Sequence, residues 1–299
     1  MWQPFVNPLL AAFLFAGASL ALKRGIMEGG GATRSVFITN TVFLLALLPL
    51  WWWVRTPVDP SLLWVPLAAG LAAFSGSVFQ FTALKSGDVS VATPLLGGKV
   101  IFVALFSTLI LGNVLPLSWW LGAVLAGLGV FFLGRSPVDD RPHTRVGLTI
   151  LLSLASVSSF ALMDIFIAGW GREFGFQRFV VIQQIVVFTC SLGLIPFFKG
   201  PLHKMPGKCW PWLLVASLVI VVQFYILNWT ISEFGNPTAA NILYSSRGLW
   251  SVVLVWSVGP LFGNFERGHG WRVLWRRALG AGLLFAAISL VVLEDAFAL

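Results

Sequence analysis

The stretch Val78-Phe79-Gln80-Phe81-Thr82 recurs in the second half of the chain as Ile226-Leu227-Asn228-Trp229-Thr230, 148 positions later. The same offset aligns Lys99 with Arg247. Further matches follow in the same order along both halves: Arg34 with Arg178, Asn40 with Gln184, Ala92 with Ala240, and Leu121-Gly122-Ala123 with Leu279-Gly280-Ala281. An ordered series of this kind indicates that the chain arose by internal duplication.

Apolar residues dominate the chain: 58% of its 299 residues are hydrophobic and 10% are charged. Because soluble proteins carry roughly 25% charged residues, this composition indicates an integral membrane protein. A spanning helix needs about 20 mostly apolar residues. Ten segments meet that requirement: 5–22, 34–54, 62–84, 89–112, 117–134, 147–169, 178–198, 211–232, 237–262 and 275–293. Their apolar runs are continuous rather than alternating, which favours helices over a β-barrel.

Each half of the chain holds five of these segments. We therefore predict an all-α integral membrane protein with ten transmembrane helices arranged as two inverted five-helix repeats, residues 1–140 and 141–299. An odd number of spans forces the second copy into the membrane upside down. Inverted repeats are typical of secondary transporters, whose solute site lies at the midplane between the copies.

Two cations lie near the centres of apolar segments, at matching places in the repeats: Lys99 after Gly97-Gly98, and Arg247 after Ser245-Ser246. A cation at the centre of a spanning helix costs about 2.5–3.5 kcal/mol on insertion scales, and such residues usually mark a solute pathway. Their sign favours an anionic group on the solute. The structural alternatives are an ion pair with Asp164 for Lys99 and solvation by carbonyls of a broken helix for Arg247.

Polar residues beside the second cation extend the predicted substrate site. Helical spacing places Tyr244 on the same face as Arg247, with Asn241 one turn further back. Ser245 and Ser246 precede the arginine directly. We expect all of them to contact the solute around the arginine fork, which suits a carboxylate or phosphate.

Further polar residues occupy matching positions on the second, third, seventh and eighth spans: Asn40, Gln80, Gln184 and Asn228. They are expected either to contact the solute or to form hydrogen bonds between helices. Asp164 lies late in the sixth span. It is a candidate for carrying a coupling proton, or else for pairing with a lysine.

Several local motifs carry a resemblance to a known family. They are Phe81-Thr82-Ala83-Leu84-Lys85-Ser86-Gly87-Asp88-Val89-Ser90-Val91-Ala92-Thr93-Pro94-Leu95, then Leu111-Gly112-Asn113, Leu121-Gly122 and Gly127-Leu128-Gly129-Val130. With these motifs the chain resembles the EamA-like members of the drug/metabolite transporter superfamily. The resemblance implies ten spans and cytoplasmic termini. In the phosphate-translocating branch of the same superfamily, basic residues on the fourth and ninth spans grip the anionic group of the solute. Lys99 and Arg247 lie on those two spans, so the resemblance implies an anionic group on the solute. Asn113 stands where the family typically has an acidic residue.

Charge asymmetry predicts the opposite orientation. Fourteen Lys and Arg residues fall in loops after odd-numbered spans and three on the other side. We expect the protein in a cell membrane (plasma or inner). By the positive-inside rule the charge count places both termini outside the cytoplasm, whereas the family habit places them inside.

The combined expectation is a secondary transporter, not driven by ATP, for a small anionic or zwitterionic metabolite. It would work by alternating access around a central cavity, surrounded by membrane lipids. No nucleophile–base set, metal cluster or phosphate-binding loop stands out, and the net charge of +8 comes mainly from loops. We therefore expect no enzymatic activity, cofactor, metal or nucleic-acid partner. Alternatives are an exporter of amino acids or amphipathic drugs, and a lipid-phosphate scramblase or membrane enzyme. For the oligomeric state, both a monomer and a homodimer are compatible with the sequence.

Overall fold

The computed structural model describes residues 2–53, 59–86, 92, 95–134, 146–258 and 271–297. Within those ranges the chain is helical and contains no β-strand. The helices are α1 (Gln3–Gly25), α2 (Ala32–Leu47), α3 (Leu50–Trp53), α4 (Trp64–Ser86), α5 (Lys99–Leu111), α6 (Leu117–Gly134), α7 (Val146–Phe174), α8 (Phe176–Ser191), α9 (Cys209–Phe234), α10 (Pro237–Tyr244), α11 (Arg247–Val258) and α12 (Trp271–Phe297).

Seven helical segments in the described ranges are long and apolar enough to cross a membrane. They are Gln3–Gly30, Ala32–Trp52, Pro60–Leu84, Val146–Phe174, Phe176–Phe197, Cys209–Phe234 and Trp275–Glu294. Two shorter apolar helices, Lys99–Leu111 and Leu117–Leu133, add to these. The protein is therefore an all-α, multi-pass membrane protein.

Helix ends follow local sequence chemistry. Gly235 has φ 67° and ends α9 in the left-handed conformation, which glycine adopts without steric cost. Pro237 then opens α10, where its fixed φ suits a first helical turn and its missing N–H is not needed. These two residues place the short helix α10 directly against the end of α9.

The core lies between the two halves of the chain. Among the most extensively packed helix pairs are α1 with α9, α4 with α7, and α6 with α12, and each pair joins one half to the other. The largest buried cluster likewise takes Ala11 and Ala69 from the first half, and Ile167, Phe179 and Ile231 from the second. The two halves therefore share one core.

The two ends of the bundle are distinguished by contacts between α1 and α9. At one end, Asn7 Nδ2 donates to Thr230 Oγ1 at 3.0 Å. At the other, Gly25, the last residue of α1, packs against Leu213 near the start of α9. Helix α1 thus begins where α9 ends. Which end faces the cytoplasm stays a prediction from the charge count.

Helices α6 and α12 cross at two glycines. A Cβ added to Gly280 would lie 2.8 Å from the carbonyl oxygen of Gly129, and one added to Gly129 would lie 3.0 Å from that of Gly280. Backbones approach this closely in membranes only where side chains are small. Gly282, two positions further along α12, has nothing within 4 Å of its added Cβ.

We expect Gly280→Val to destabilise the protein by about 1–3 kcal/mol, because the new side chain forces α6 and α12 apart. The measurement is the thermal unfolding midpoint in detergent. Gly282→Val is the matched control, since it places the same side chain in open space on the same helix. Equal midpoints for the two variants would show that the crossing does not depend on the glycines.

Candidate functional site

A cavity of about 200 Å³ lies between the two halves of the bundle. Helices α1, α4, α7 and α9 and the regions beside two helix breaks contribute its walls. Its lining residues are Phe15, Gln80, Leu96, Lys99, Val157, Phe160, Met163, Asp164, Gln223, Phe224, Leu227, Asn228, Tyr244 and Arg247. The wall is apolar over much of its surface and carries three formal charges.

Two helix breaks bring the cations to this cavity. Gly97 and Gly98 form a turn directly before Lys99, the first residue of α5. Ser245 and Ser246 form the equivalent turn before Arg247, the first residue of α11. Each break therefore presents the N-terminus of a half-helix, the positive end of its dipole, beside a cationic side chain.

Lys99 pairs with Asp164. The distance from Lys99 Nζ to Asp164 Oδ2 is 2.6 Å, and the carboxylate is 1% exposed. The same oxygen accepts a hydrogen bond of 2.7 Å from Asn241 Nδ2, which also donates to the carbonyl of Pro237 at 2.9 Å. This carboxylate therefore ties together α5, α7 and α10, and the positive charge of Lys99 is matched.

Arg247 has a different environment. Its guanidinium carbon lies 4.8 Å from the ring centroid of Tyr244 and 5.2 Å from that of Phe15, within the range of cation–π contacts. The Tyr244 hydroxyl in turn donates to Gln223 Oε1 at 3.1 Å. Three side-chain ion pairs occur in the described ranges, Arg24–Glu28, Lys99–Asp164 and Arg172–Glu233, and none involves Arg247. The formal charge of the cavity wall is accordingly +1, from two cations and one carboxylate.

Most of the residues that the sequence singled out meet at this cavity. Those on its wall are Lys99, Arg247, Tyr244, Gln80, Asn228 and Asp164. Asn241 lies behind them, as the hydrogen-bond partner of Asp164. Ser245 and Ser246 are buried outside the lining set: the Ser245 hydroxyl donates to the Asn241 carbonyl at 2.9 Å, within its own helical turn.

Asn40 and Gln184 lie away from the cavity, contrary to the expectation for a substrate site. Asn40 lines a separate groove of about 280 Å³ beside Phe74 and Phe81. Gln184 is buried and donates from Nε2 to the backbone carbonyl of Asn40 at 3.4 Å. The reason is that α2 and α8 pack on each other, so the Gln184 side chain links α8 to the backbone of α2.

Sequence reasoning missed two kinds of cavity residue. Gln223 directly follows the apolar run Val219-Ile220-Val221-Val222 of α9, and an amide side chain at that place in a span was an available signal. The aromatic residues Phe15 and Phe160 gave no signal, because the chain contains 26 phenylalanines and nothing distinguishes the ones that face the cavity.

The proteins that this chain is similar to are membrane transporters. Residues 6–135 match the EamA-like transporter family. This match lies in the first half of the chain and supports membership of the drug/metabolite transporter superfamily.

Two curated relatives are similar to this chain. The magnesium transporter NIPA4 of Mus musculus is 26% identical over 258 residues, 79% of this chain. An uncharacterized transporter in the cobO 3' region of Sinorhizobium sp is 35% identical over 82 residues, 27% of this chain. The match spans 58% of the length of each relative. A solved crystal structure of a protein shares the fold, with a TM-score of 0.72 at 17% identity over 97% of this chain and 96% of that one.

Proposed function

We propose that the protein is a secondary transporter of a small organic solute that carries a carboxylate or phosphate, and that it works by alternating access around the central cavity. The observation that carries this proposal is Arg247: a guanidinium on the cavity wall that has aromatic neighbours but no carboxylate among the described residues. Its planar fork suits bidentate binding of an anionic group.

Helix packing supports the inverted-repeat part of the proposal. Numbered as predicted spans, α1 and α9 are the first and eighth, and α7 and α4 are the sixth and third. In two five-span repeats the first span is equivalent to the sixth, and the third to the eighth. The pair of α1 with α9 is therefore equivalent to the pair of α7 with α4, and both pairs are among the most extensive contacts. The contact of α4 with α8 similarly corresponds to that of α9 with α2. A pseudo-twofold arrangement of this kind is the architecture on which rocking-type alternating access depends.

The electrostatics of the cavity favour an anion over a metal cation as cargo. With Asp164 already paired to Lys99, a cation entering the cavity would meet Arg247 at short range. For this reason we do not extend to this chain the magnesium transport that the name of the mouse relative states. Asp164 as a coupling proton carrier stays a prediction.

A second candidate cargo is a zwitterion such as an amino acid. Asn228 Oδ1 and Asp164 Oδ1 are buried and have no hydrogen-bond partner among the described residues, and both residues line the cavity. Unpartnered buried acceptors are costly. An ammonium group could donate to them while its carboxylate faces Arg247. The cavity volume of about 200 Å³ is below the range of drug-sized pockets, which fits a metabolite better than a drug.

The test is transport into proteoliposomes that contain the purified protein. Radiolabelled solutes of four classes are compared: carboxylates, phosphate esters, amino acids and quaternary amines. We expect saturable uptake or counterflow of at least one class that bears an anionic group and none of the quaternary amines. Uptake of amines alone, or catalytic turnover of a solute without transport, would contradict the proposal.

A further inference from the structure

Two pockets separate from the central cavity lie at the end of the bundle where α1, α6 and α10 begin. Their volumes are about 220 and 170 Å³, and they adjoin, because both contain Trp119 and Asn236 in their walls. We call the pair the vestibule. Its walls include Phe5, Trp119, Thr230, Phe234, Asn236 and Thr238. None of these residues carries a formal charge.

Two buried polar groups of the vestibule lack a partner among the described residues. They are Trp119 Nε1 and Thr238 Oγ1. Trp119 is 9% exposed and Thr238 is 0% exposed. An indole N–H can only donate, and a buried donor left without an acceptor costs free energy. The indole therefore indicates a ligand that supplies acceptor oxygens, and the Thr238 hydroxyl can donate to the same ligand.

The N-termini of two helices meet at the same place. Helix α6 follows Pro116, whose carbonyl already accepts the backbone N–H of Trp119. Helix α10 follows Asn236, whose side chain makes no capping hydrogen bond. Neither helix has an acidic residue in its first turn. A helix N-terminus is equivalent to roughly half a positive charge, so the two together offer about one unit, carried by backbone N–H groups.

From these observations we propose that the vestibule is a second binding site, specific for the carboxylate of a small organic solute. The indole N–H of Trp119, the hydroxyl of Thr238 and the free N–H groups of α10 donate to the two carboxylate oxygens. The single negative charge of a carboxylate matches the charge of the two helix dipoles. The second negative charge of a phosphate dianion would have no cationic side chain to balance it. Phe5 and Phe234 provide an apolar wall for the rest of the solute.

The position of the vestibule makes it a stop on the path to the central cavity. Thr230 lines the vestibule and Asn228 lines the cavity, on one turn of α9. On α10, Ala240 lines the vestibule, and Tyr244, one turn further along, lines the cavity. Only the claim that the solute passes through the vestibule during transport rests on the proposed function. Carboxylate binding at Trp119 does not.

The experiment uses the full-length protein, labelled with 5-fluorotryptophan and reconstituted in nanodiscs. Fluorine NMR resolves the indoles, and Trp119→Phe assigns the resonance of interest. The probes are sodium acetate, sodium phosphate, and sodium chloride at matched ionic strength. We expect a saturable shift of the Trp119 resonance with acetate, a much weaker response to phosphate and none to chloride.

Variants separate this site from the central one. Thr238→Val should weaken acetate binding roughly tenfold, through loss of a hydrogen bond to a charged group. Thr41→Val, on α2, is the matched control and should bind as the wild type does. Arg247→Met should leave the acetate shift at Trp119 intact while impairing transport. The proposal is overturned if acetate gives no saturable shift, if chloride gives an equal one, if phosphate binds as tightly as acetate, or if Arg247→Met abolishes the shift.

Discussion

Replacing Arg247 by methionine is expected to lower the transport rate of an anionic solute at least about thirtyfold at subsaturating concentration. Charge-assisted hydrogen bonds contribute about 1.5–3 kcal/mol each, and a bidentate pair loses both at once. Methionine keeps much of the apolar volume between Phe15 and Tyr244 and so preserves the aromatic wall. The measurement is initial uptake into proteoliposomes as a function of solute concentration.

Two further variants make this result specific. Arg247→Lys keeps the charge but not the planar fork, so we expect an intermediate loss. Arg172→Met is the matched control, since Arg172 has a side chain 72% exposed and lies 3.8 Å from Glu233, outside the cavity. Its uptake should be that of the wild type. If Arg247→Met protein is folded and transports anions at the wild-type rate, the proposed site is wrong.

The sequence predicted the helices well because apolar runs of spanning length leave the backbone one way to satisfy its hydrogen bonds in lipid. Helix is present in the described part of each of the ten predicted segments. The repeat offset also predicted that Lys99 and Arg247 reach one place, and both line the central cavity. Hydropathy therefore predicted the all-α, multi-pass character of the chain, and the arrangement as two inverted five-helix repeats stays a prediction.

The sequence did not predict which side chains pair with each other. Asp164 was known to be the candidate carboxylate for Lys99, but the contact depends on how α5 packs on α7, which no local pattern fixes. Asn40 and Gln184 occupy matching positions of the repeat, as Gln80 and Asn228 do, yet neither lines the cavity. Asn40 lines a separate groove, and Gln184 donates to the backbone carbonyl of Asn40. Symmetry predicts which residues are equivalent, and packing decides which of them meet the solute.

Replacing either member of the Lys99–Asp164 pair alone is expected to destabilise the protein by about 3–5 kcal/mol, because the remaining charge stays buried without its counter-ion. Lys99→Met leaves the carboxylate with Asn241 as its described donor, and Asp164→Asn leaves the ammonium unmatched beside Arg247. The double variant removes both charges. An asparagine at 164 can still accept from Asn241, so we expect the double variant to recover more than half of the loss.

The measurement is a double-mutant cycle on unfolding free energy in a mixed detergent and denaturant titration. The same cycle on Arg172→Met and Glu233→Gln is the control, since these side chains are 72% and 40% exposed and an exposed pair is worth about 0–1 kcal/mol. A buried-pair coupling no larger than the control would mean that the Lys99–Asp164 contact does not hold α5 against α7. Strong coupling would leave Arg247 as the cavity cation whose charge a solute must match, because Lys99 is then occupied within the protein itself.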